Sequence, residues 1–418
     1  MSIAKRRTMK KQNTSIPWVS ILVALASAVG IYFLPAYHLW FLLILLLNLL
    51  VSFVFGKRYS DAALTICRLL VGALFIFSSF TKGIDPLGTK YKMLDYLAVY
   101  GMTWLNNAAL GLAMLMILAE FIVGICLITK IYPRLAVLGA TLLMLFFTFT
   151  TLFDALYDLV PDCGCFGTAI KMTNWQTFYK NLVIDAVLVP LVLCNKRLKN
   201  DLSKPIQFLL ATVFALAFLG FEIYNYRHLP VVDFMNWKVG KQMSTETGES
   251  KIYLTYRNKA TGELQEYVSP DYPWNDSVWM SQWEFVDQRL EGGGNFLGFS
   301  ALDIDGNDVT EDILATENLL MFTSNDLTKV TEKEWAKMRE IVDAAEEHDF
   351  TVIWTVANPP EVVEQLSETY DFLNEVYYAD ELEIKTIVRF NPGLIWLDNG
   401  LVKDKWSAID FSKALKIF

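Results

Sequence analysis

Two cysteines separated by one glycine are the residues of this chain best suited to chemistry. They stand in Asp162-Cys163-Gly164-Cys165-Phe166-Gly167, and the chain has five cysteines in all, the others being Cys67, Cys126 and Cys194. A Cys-x-Cys pair closes a very small ring, far from relaxed disulfide geometry, so its bond is strained and easily reduced, which suits exchange more than stapling. Gly164 removes the side chain that would crowd the closure and allows unusual backbone angles. A helix starting near Asn174–Phe178 would lower the thiol pKa through its positive dipole end, whereas Asp162 would oppose this. Two other readings stay open, incidental packing and half of a metal site. Metal is the least favoured, because the three histidines are His38, His228 and His348 and tetrahedral zinc needs two further ligands.

Charged residues inside apolar runs form a second group. Arg68 follows Cys67, Glu120 sits midway along a long apolar run, and Asp185 interrupts another. Each costs roughly 2.5–3.5 kcal/mol in lipid on insertion scales, so each is expected to face a bundle interior or water. The bland readings are that Arg68 snorkels to headgroups and that Glu120 serves as hydrogen-bonded helix glue. Lys82, in Ser79-Phe80-Thr81-Lys82-Gly83, is expected to favour a nearby thiolate or bind an acidic headgroup. Cys67, Cys126 and Cys194 read as small buried hydrophobes, separated from the outer pair by a membrane roughly 30 Å thick.

The elements that must position these groups are membrane helices. Of 418 residues, 54% are hydrophobic, and apolar runs near 17–34, 38–56, 62–80, 109–129, 132–153, 179–194 and 205–225 approach or exceed the length a crossing needs. Seven transmembrane helices are expected, the first an anchor rather than a removable signal, since no small-residue cleavage pattern follows it. With the N-terminus inside, the cytoplasmic segments collect thirteen Lys and Arg against six outside. The bias sets that orientation and places the Cys163–Cys165 loop and everything after residue 230 outside, in a bacterium the periplasm.

Composition changes at Pro230. Residues 1–230 carry a net charge of +10 and residues 231–418 one of −19. Basic loops beside anionic lipid account for the first half, and the acidity of the second excludes nucleic acid as a partner. Residues 1–60 read as two helices, 61–200 as a four-helix domain, 201–229 as a seventh helix, 230–294 as a small β-rich segment with a linker, and 295–418 as an α/β domain. Lys251–Asn258 and Glu263–Ser269 alternate as a hairpin does, and Gly292-Gly293-Gly294 marks the linker. Beyond it, Phe296–Asp303 and Asp308–Leu314 flank Asp305-Gly306, a strong turn signal, and Asn318–Thr323 reads as a buried strand. A helix near 331–347, a strand at Phe350–Ala357, a helix near 360–369, a hairpin Leu394–Lys403 and a closing helix follow, an α/β order.

Arg68-Leu-Leu-Val-Gly72, Phe75 through Lys82, Glu120-Phe-Ile-Val-Gly124 and the Asp162–Gly167 loop together resemble the DoxX-like four-helix membrane family, most closely its methylamine-utilisation branch, MauE. The resemblance covers about residues 62–196. It implies a membrane component of periplasmic thiol–disulfide chemistry, associated in the methylamine system with maturation of a disulfide-rich dehydrogenase subunit, and DoxX relatives imply electron exchange with quinone. The outer domain is similar to thioredoxin. Asn391-Pro392-Gly-Leu-Ile-Trp-Leu-Asp-Asn399-Gly400 matches the segment in which thioredoxins place a cis-proline before a hairpin, with Pro392 as the cis residue, and Leu319-Leu-Met-Phe322 matches the strand leading to their reactive Cys-x-x-Cys. Here Thr323-Ser-Asn-Asp-Leu-Thr-Lys-Val330 follows, and no cysteine occurs after Cys194, so a surviving groove at Asn391 and Pro392 would dock a partner without dithiol chemistry.

The leading expectation is an inner-membrane thiol–disulfide redox protein. Cys163 and Cys165 exchange electrons with a periplasmic thioredoxin-like or client protein, and quinone is the natural membrane carrier, held near Arg68, Glu120 or Lys82. The alternative is a non-enzymatic scaffold whose outer domain binds a folding or secretion partner. Transport is a third class, disfavoured because no paired broken helices or inverted halves are seen.

Overall fold

The computed structural model describes residues 21–23, 26–27, 38–160, 164–167, 169–170, 172–243, 251–259, 261, 263–268, 279, 282–291 and 299–418. The chain divides into two compact units, Met1–Phe234 and Met235–Phe418.

The first unit is helical: α1 His38–Phe55, α2 Asp61–Ile84, α3 Pro86–Val99, α4 Ala109–Thr129, α5 Pro133–Tyr157, α6 Asn174–Leu193 and α7 Lys204–Arg227. Among the described residues five spans are long and apolar enough to cross a membrane, against the seven expected of the whole chain: Asp61–Ile84, Thr103–Thr129, Pro133–Tyr157, Asn174–Leu193 and Lys204–Arg227. Of the other two runs, 17–34 lies largely outside the described residues, and α1 is an eighteen-residue helix without Asp, Glu, Lys or Arg whose described apolar stretch is Leu43–Phe55.

Helix ends follow local chemistry. Ser60 starts α2 by accepting from the Ala63 amide at 3.2 Å. Asp85 separates α2 from α3, its Oδ1 accepting from the Gly88 amide at 2.8 Å while Pro86 takes the first helical position, where a missing N–H costs nothing. Thr173 and Gln176 form a capping box at the start of α6. α3 was not among the expected elements, because Lys90, Lys92 and Asp95 keep it out of any search for apolar runs.

The bundle is held by close packing rather than by escape from water, since lipid is as apolar as the core. α2 and α4 cross where Gly72 meets Gly124: a Cβ on Gly124 would lie 2.9 Å from the Gly72 carbonyl oxygen and 3.0 Å from the Ile76 amide. α7 is fastened by aromatic rings, Phe218 stacking on Phe121 at 3.9 Å and meeting Phe80 edge-on at 5.4 Å. Leu142, Leu145 and Phe149 on α5, with Phe208, Leu209 and Leu216 on α7, stay exposed, as lipid-facing side chains do.

The second unit holds two sheets. β1 Lys251–Asn258 pairs antiparallel with β2 Leu264–Val268, the expected hairpin, and on its other side with β3 Trp283–Glu291. The later elements are α8 Thr310–Ala315, β4 Leu319–Ser324, α9 Glu332–Glu347, β5 Thr351–Val356, α10 Pro360–Ser367, β6 Val376–Tyr378, α11 Glu381–Ile387, β7 Gly393–Asp398, β8 Leu401–Ser407 and α12 Phe411–Ala414. The five-stranded sheet runs β6-β5-β4-β7-β8, with β4, β5 and β6 parallel and β7 and β8 antiparallel. β4 is buried throughout, and Phe322 stacks on Trp354 at 4.5 Å in the core.

The expected turn at Asp305-Gly306 is closed by the Gly306 amide donating to the Asp303 carbonyl at 3.1 Å and by a bridge between Leu302 and Asp308. Asp308 Oδ1 then accepts from the Thr310 amide at 2.9 Å, where the chain enters α8. The Gly292–Gly294 linker lies outside the described residues.

Candidate functional site

Asp162 and Cys163 lie outside the described residues; Gly164 to Gly167 are placed. The Gly167 amide donates to the Gly164 carbonyl at 2.9 Å, and both glycines have positive φ, 62° and 55°. A side chain is excluded at Gly167 for a second reason: its Cβ would stand 2.9 Å from the Thr81 carbonyl oxygen. The turn is thereby pressed against the last part of α2. Phe166 is buried, its ring centroid 5.4 Å from that of Phe77, and Lys180 Nζ from α6 lies 4.7 Å from the Phe166 ring centroid as a cation–π partner.

Ser78 joins this turn to the charged groups of the bundle. Its Oγ lies 2.9 Å from the Cys165 carbonyl oxygen and 2.9 Å from Glu120 Oε2. Glu120 Oε1 accepts from Lys82 Nζ, and the two side chains are 1% and 5% exposed. Lys82, expected to favour a thiolate or bind a headgroup, is thus ion-paired with Glu120 while also lining a cavity. Such a pair is costly to desolvate and costlier to break, since either partner alone would be a buried, uncompensated charge.

These groups share a cavity of about 160 Å³ within the helical unit. Gly164, Cys165 and Phe166 form part of its wall, Lys82 and Glu120 give it a charged pole, and Phe75, Phe147 and Met144 are among the apolar side chains that make up most of the rest. Sequence reasoning named Cys165, Gly164, Phe166, Gly167, Lys82 and Glu120, all of which meet here. It missed Ser78, Tyr96 and Lys180. Ser78 lay inside the segment Phe75 through Lys82, and a polar residue one helical turn before Lys82 was the available signal; Tyr96 belongs to the unexpected α3.

Other named residues lie elsewhere. Arg68 is fourteen residues from Lys82 on the same helix, roughly 21 Å at 1.5 Å per residue. It donates to the carbonyl oxygens of Leu127 and, at 2.7 Å, Ile128, closing the last turn of α4, and it is not on the cavity wall. Asp185 accepts from Thr148 Oγ1 at 2.8 Å and ties α6 to α5, and it does not line the cavity, although its neighbour Ile184 does. Cys67, Cys126 and Cys194 are buried. Among the described residues no group of three His, Cys, Asp or Glu is placed to hold a metal ion.

In the second unit the Asn391–Pro392 bond is cis, as expected. Asn391 is a tie rather than an open edge. Its Oδ1 accepts from Ser324 Oγ at 2.7 Å and from the Asp326 amide at 3.3 Å, and its Nδ2 donates to the Asp326 carbonyl at 2.8 Å. Asn358 Oδ1 accepts from the Leu327 amide at 2.7 Å. The segment after β4 is thus pinned by two asparagines. Partial burial works against the Asp326 carboxylate, but bonds from Lys329, Thr328 and Asn358 outweigh it and hold its pKa at about 2.

No curated protein and no solved structure matches the chain. A family model does match, that of the methylamine utilisation protein MauE, over residues 60–194. That interval contains α2 to α6, the Cys163–Cys165 turn and every residue named above on the cavity wall. Residues 60–194 of this chain are therefore similar to the MauE family, and α7 and the α/β unit lie beyond the matched interval.

Proposed function

We propose that the chain is a membrane thiol–disulfide redox protein. The Cys163–Cys165 disulfide accepts electrons from the dithiol of a thioredoxin-like or client protein outside the cytoplasm and passes them to a membrane quinone. The observation that carries this reading is the position of Cys165 on the wall of an apolar cavity inside the bundle, tied through Ser78 to the Lys82–Glu120 pair.

The partner's thiolate attacks one sulfur of the Cys163–Cys165 bond, forming a mixed disulfide and releasing the other sulfur as a thiolate. The partner's second thiol then displaces the bound sulfur, leaving the partner oxidised and Cys163 and Cys165 reduced. A quinone fits the residues present: Phe75, Met144 and Phe147 offer an apolar and aromatic bed, and the Lys82 ammonium a single charged pole toward a polar oxygen. When bound, it supplies a two-electron, two-proton acceptor. Ser78 holds the cysteine turn beside that bed, and Glu120 fixes the position of Lys82 Nζ.

The α/β unit is proposed as a thioredoxin-like domain that holds the partner rather than oxidising it. Its strand order, its parallel β4 and β5, and the cis Asn391–Pro392 bond preceding β7 support this, as does the absence of cysteine after Cys194. The distribution of Lys and Arg supports an N-terminus inside and both the cysteine turn and the α/β unit outside.

Alkylation mass-shift on whole cells tests the exchange. Cys163 and Cys165 should become reduced when a re-oxidant is withdrawn, and Cys163→Ser or Cys165→Ser should trap a mixed disulfide with the partner. A double Cys163→Ser, Cys165→Ser variant with full function would instead favour a scaffold, a reading to which the pinned segment after β4 lends support. Labelling of both thiols by an impermeant maleimide only after lysis would overturn the outside placement.

A further inference from the structure

The cavity has a second polar pole. Tyr96 on α3 lines it, and the Tyr96 hydroxyl donates to Asp154 Oδ2 on α5. Asp154 is 0% exposed, and among the described residues its Oδ1 has no hydrogen-bond partner. Tyr100, also on the wall, stacks on Tyr96 with ring centroids 6.3 Å apart and planes 11° from parallel. The pattern repeats that of Lys82 and Glu120: a proton-bearing group at the wall, backed by a buried carboxyl. A carboxyl whose second oxygen is buried without a partner is an expensive way to join two helices, because that oxygen loses its hydration for nothing.

We infer that Tyr96 and Asp154 form a proton relay into the cavity, with Tyr96 the second donor, beside Lys82, to a ligand bearing two reducible oxygens. The inference rests on the redox reading of Cys163 and Cys165. Formation of their S–S bond takes two electrons and two protons from the two thiols, and conversion of a quinone to its hydroquinone consumes two of each. With Asp154 neutral and its proton on Oδ1, the oxygen that does not accept from Tyr96, Tyr96 would give its hydroxyl proton to one oxygen and take one back as the Asp154 carboxyl turns its O–H toward it. Lys82 gives the other. The two thiol protons, of which that of Cys165 leaves at the wall of the same cavity, would restore Asp154 and Lys82, so that no other reductant or acid is needed. The other titratable groups on this wall are Lys92, Tyr100, Glu120 and Lys180.

The test uses the full chain in detergent, cycled between oxidised and reduced states with a short-chain benzoquinone as oxidant. The cysteine state is read by maleimide mass shift and the carboxyl groups by infrared difference spectroscopy on the same samples. The relay predicts a carboxyl C=O band that changes with cysteine state, is lost in Asp154→Asn and is displaced in Tyr96→Phe. It also predicts that Tyr96→Phe, which keeps the ring and its packing, slows re-oxidation of the cysteines by the quinone roughly 100-fold. A helix tie alone would move neither the band nor the rate. Cycling cysteines with a carboxyl spectrum unaltered in both variants would overturn the relay and leave the exchange reading standing. Parent cysteines that the quinone never re-oxidises would sink the relay together with the quinone step.

Discussion

At the scale of single residues, the Lys82–Glu120 pair decides how this bundle tolerates change. Both side chains are nearly inaccessible, so removing one leaves a charge that neither water nor a partner compensates. Lys82→Met or Glu120→Leu alone should destabilise the bundle by roughly 3–5 kcal/mol. The double Lys82→Met, Glu120→Leu variant should cost much less than the two single effects combined. Thermal midpoints of the four proteins in one detergent measure this, and additive losses would show that the pair is not coupled. Lys82 and Glu120 were both legible in the sequence as ionisable groups near or within apolar runs. Their pairing was not, because 38 residues and a change of helix separate them and the end of α2 was read as lying outside the membrane. The same reasoning explains Arg68. A cation beside a cysteine in an apolar run suggests a ligand site, yet the carbonyls it satisfies belong to another helix and leave no mark in its own sequence neighbourhood.

At the scale of elements, close helix approach and loop pinning are the features open to test. Gly124 meets the backbone of α2, whereas a Cβ at Gly111, on the same helix, meets nothing within 4 Å. Gly124→Leu should therefore lower stability by roughly 1–3 kcal/mol or more through overpacking, with Gly111→Leu close to neutral. Equal thermal midpoints for the two variants would refute the crossing. In the α/β unit, Asn391→Ala removes three hydrogen bonds to Ser324 and Asp326 and should cost roughly 1–3 kcal/mol. Asp326 adds a pH signature. Its folded pKa, about 2, lies below its ordinary value of 3.8, so its stabilisation is complete above about pH 4 and is lost as pH falls through about 2. Asp326→Asn should melt earlier than the parent at neutral pH, with the gap narrowing between pH 4 and 2; tryptophan fluorescence during heating follows both proteins. Most α/β elements were legible because β4, α9, β5 and the β7–β8 hairpin carry period or turn signals. β6, three residues long, and α8, started by an aspartate side chain rather than by an apolar pattern, carry none.

For the whole molecule, the change of composition at residue 230 and the structural division after Phe234 describe one boundary by different means. The sequence sees it as charge, +10 before and −19 after, because a lipid-facing bundle and a water-facing sheet need opposite surfaces. Five of the seven expected crossings stand among the described residues, where the apolar runs of α2, α4, α5, α6 and α7 each fill one long helix. The boundary carries its own prediction. Phe322, Trp335, Trp354, Phe411 and Trp406 build a buried core entirely within Met235–Phe418, and this unit of roughly 180 residues is large enough to bury most of its apolar surface by itself. Residues 235–418 expressed alone should therefore be soluble without detergent and unfold in one cooperative heat transition, and Asn391→Ala should lower the midpoint as it does in the full chain. A detergent requirement, or a broad transition indifferent to Asn391→Ala, would mean that the acidic half depends on the membrane domain for its fold.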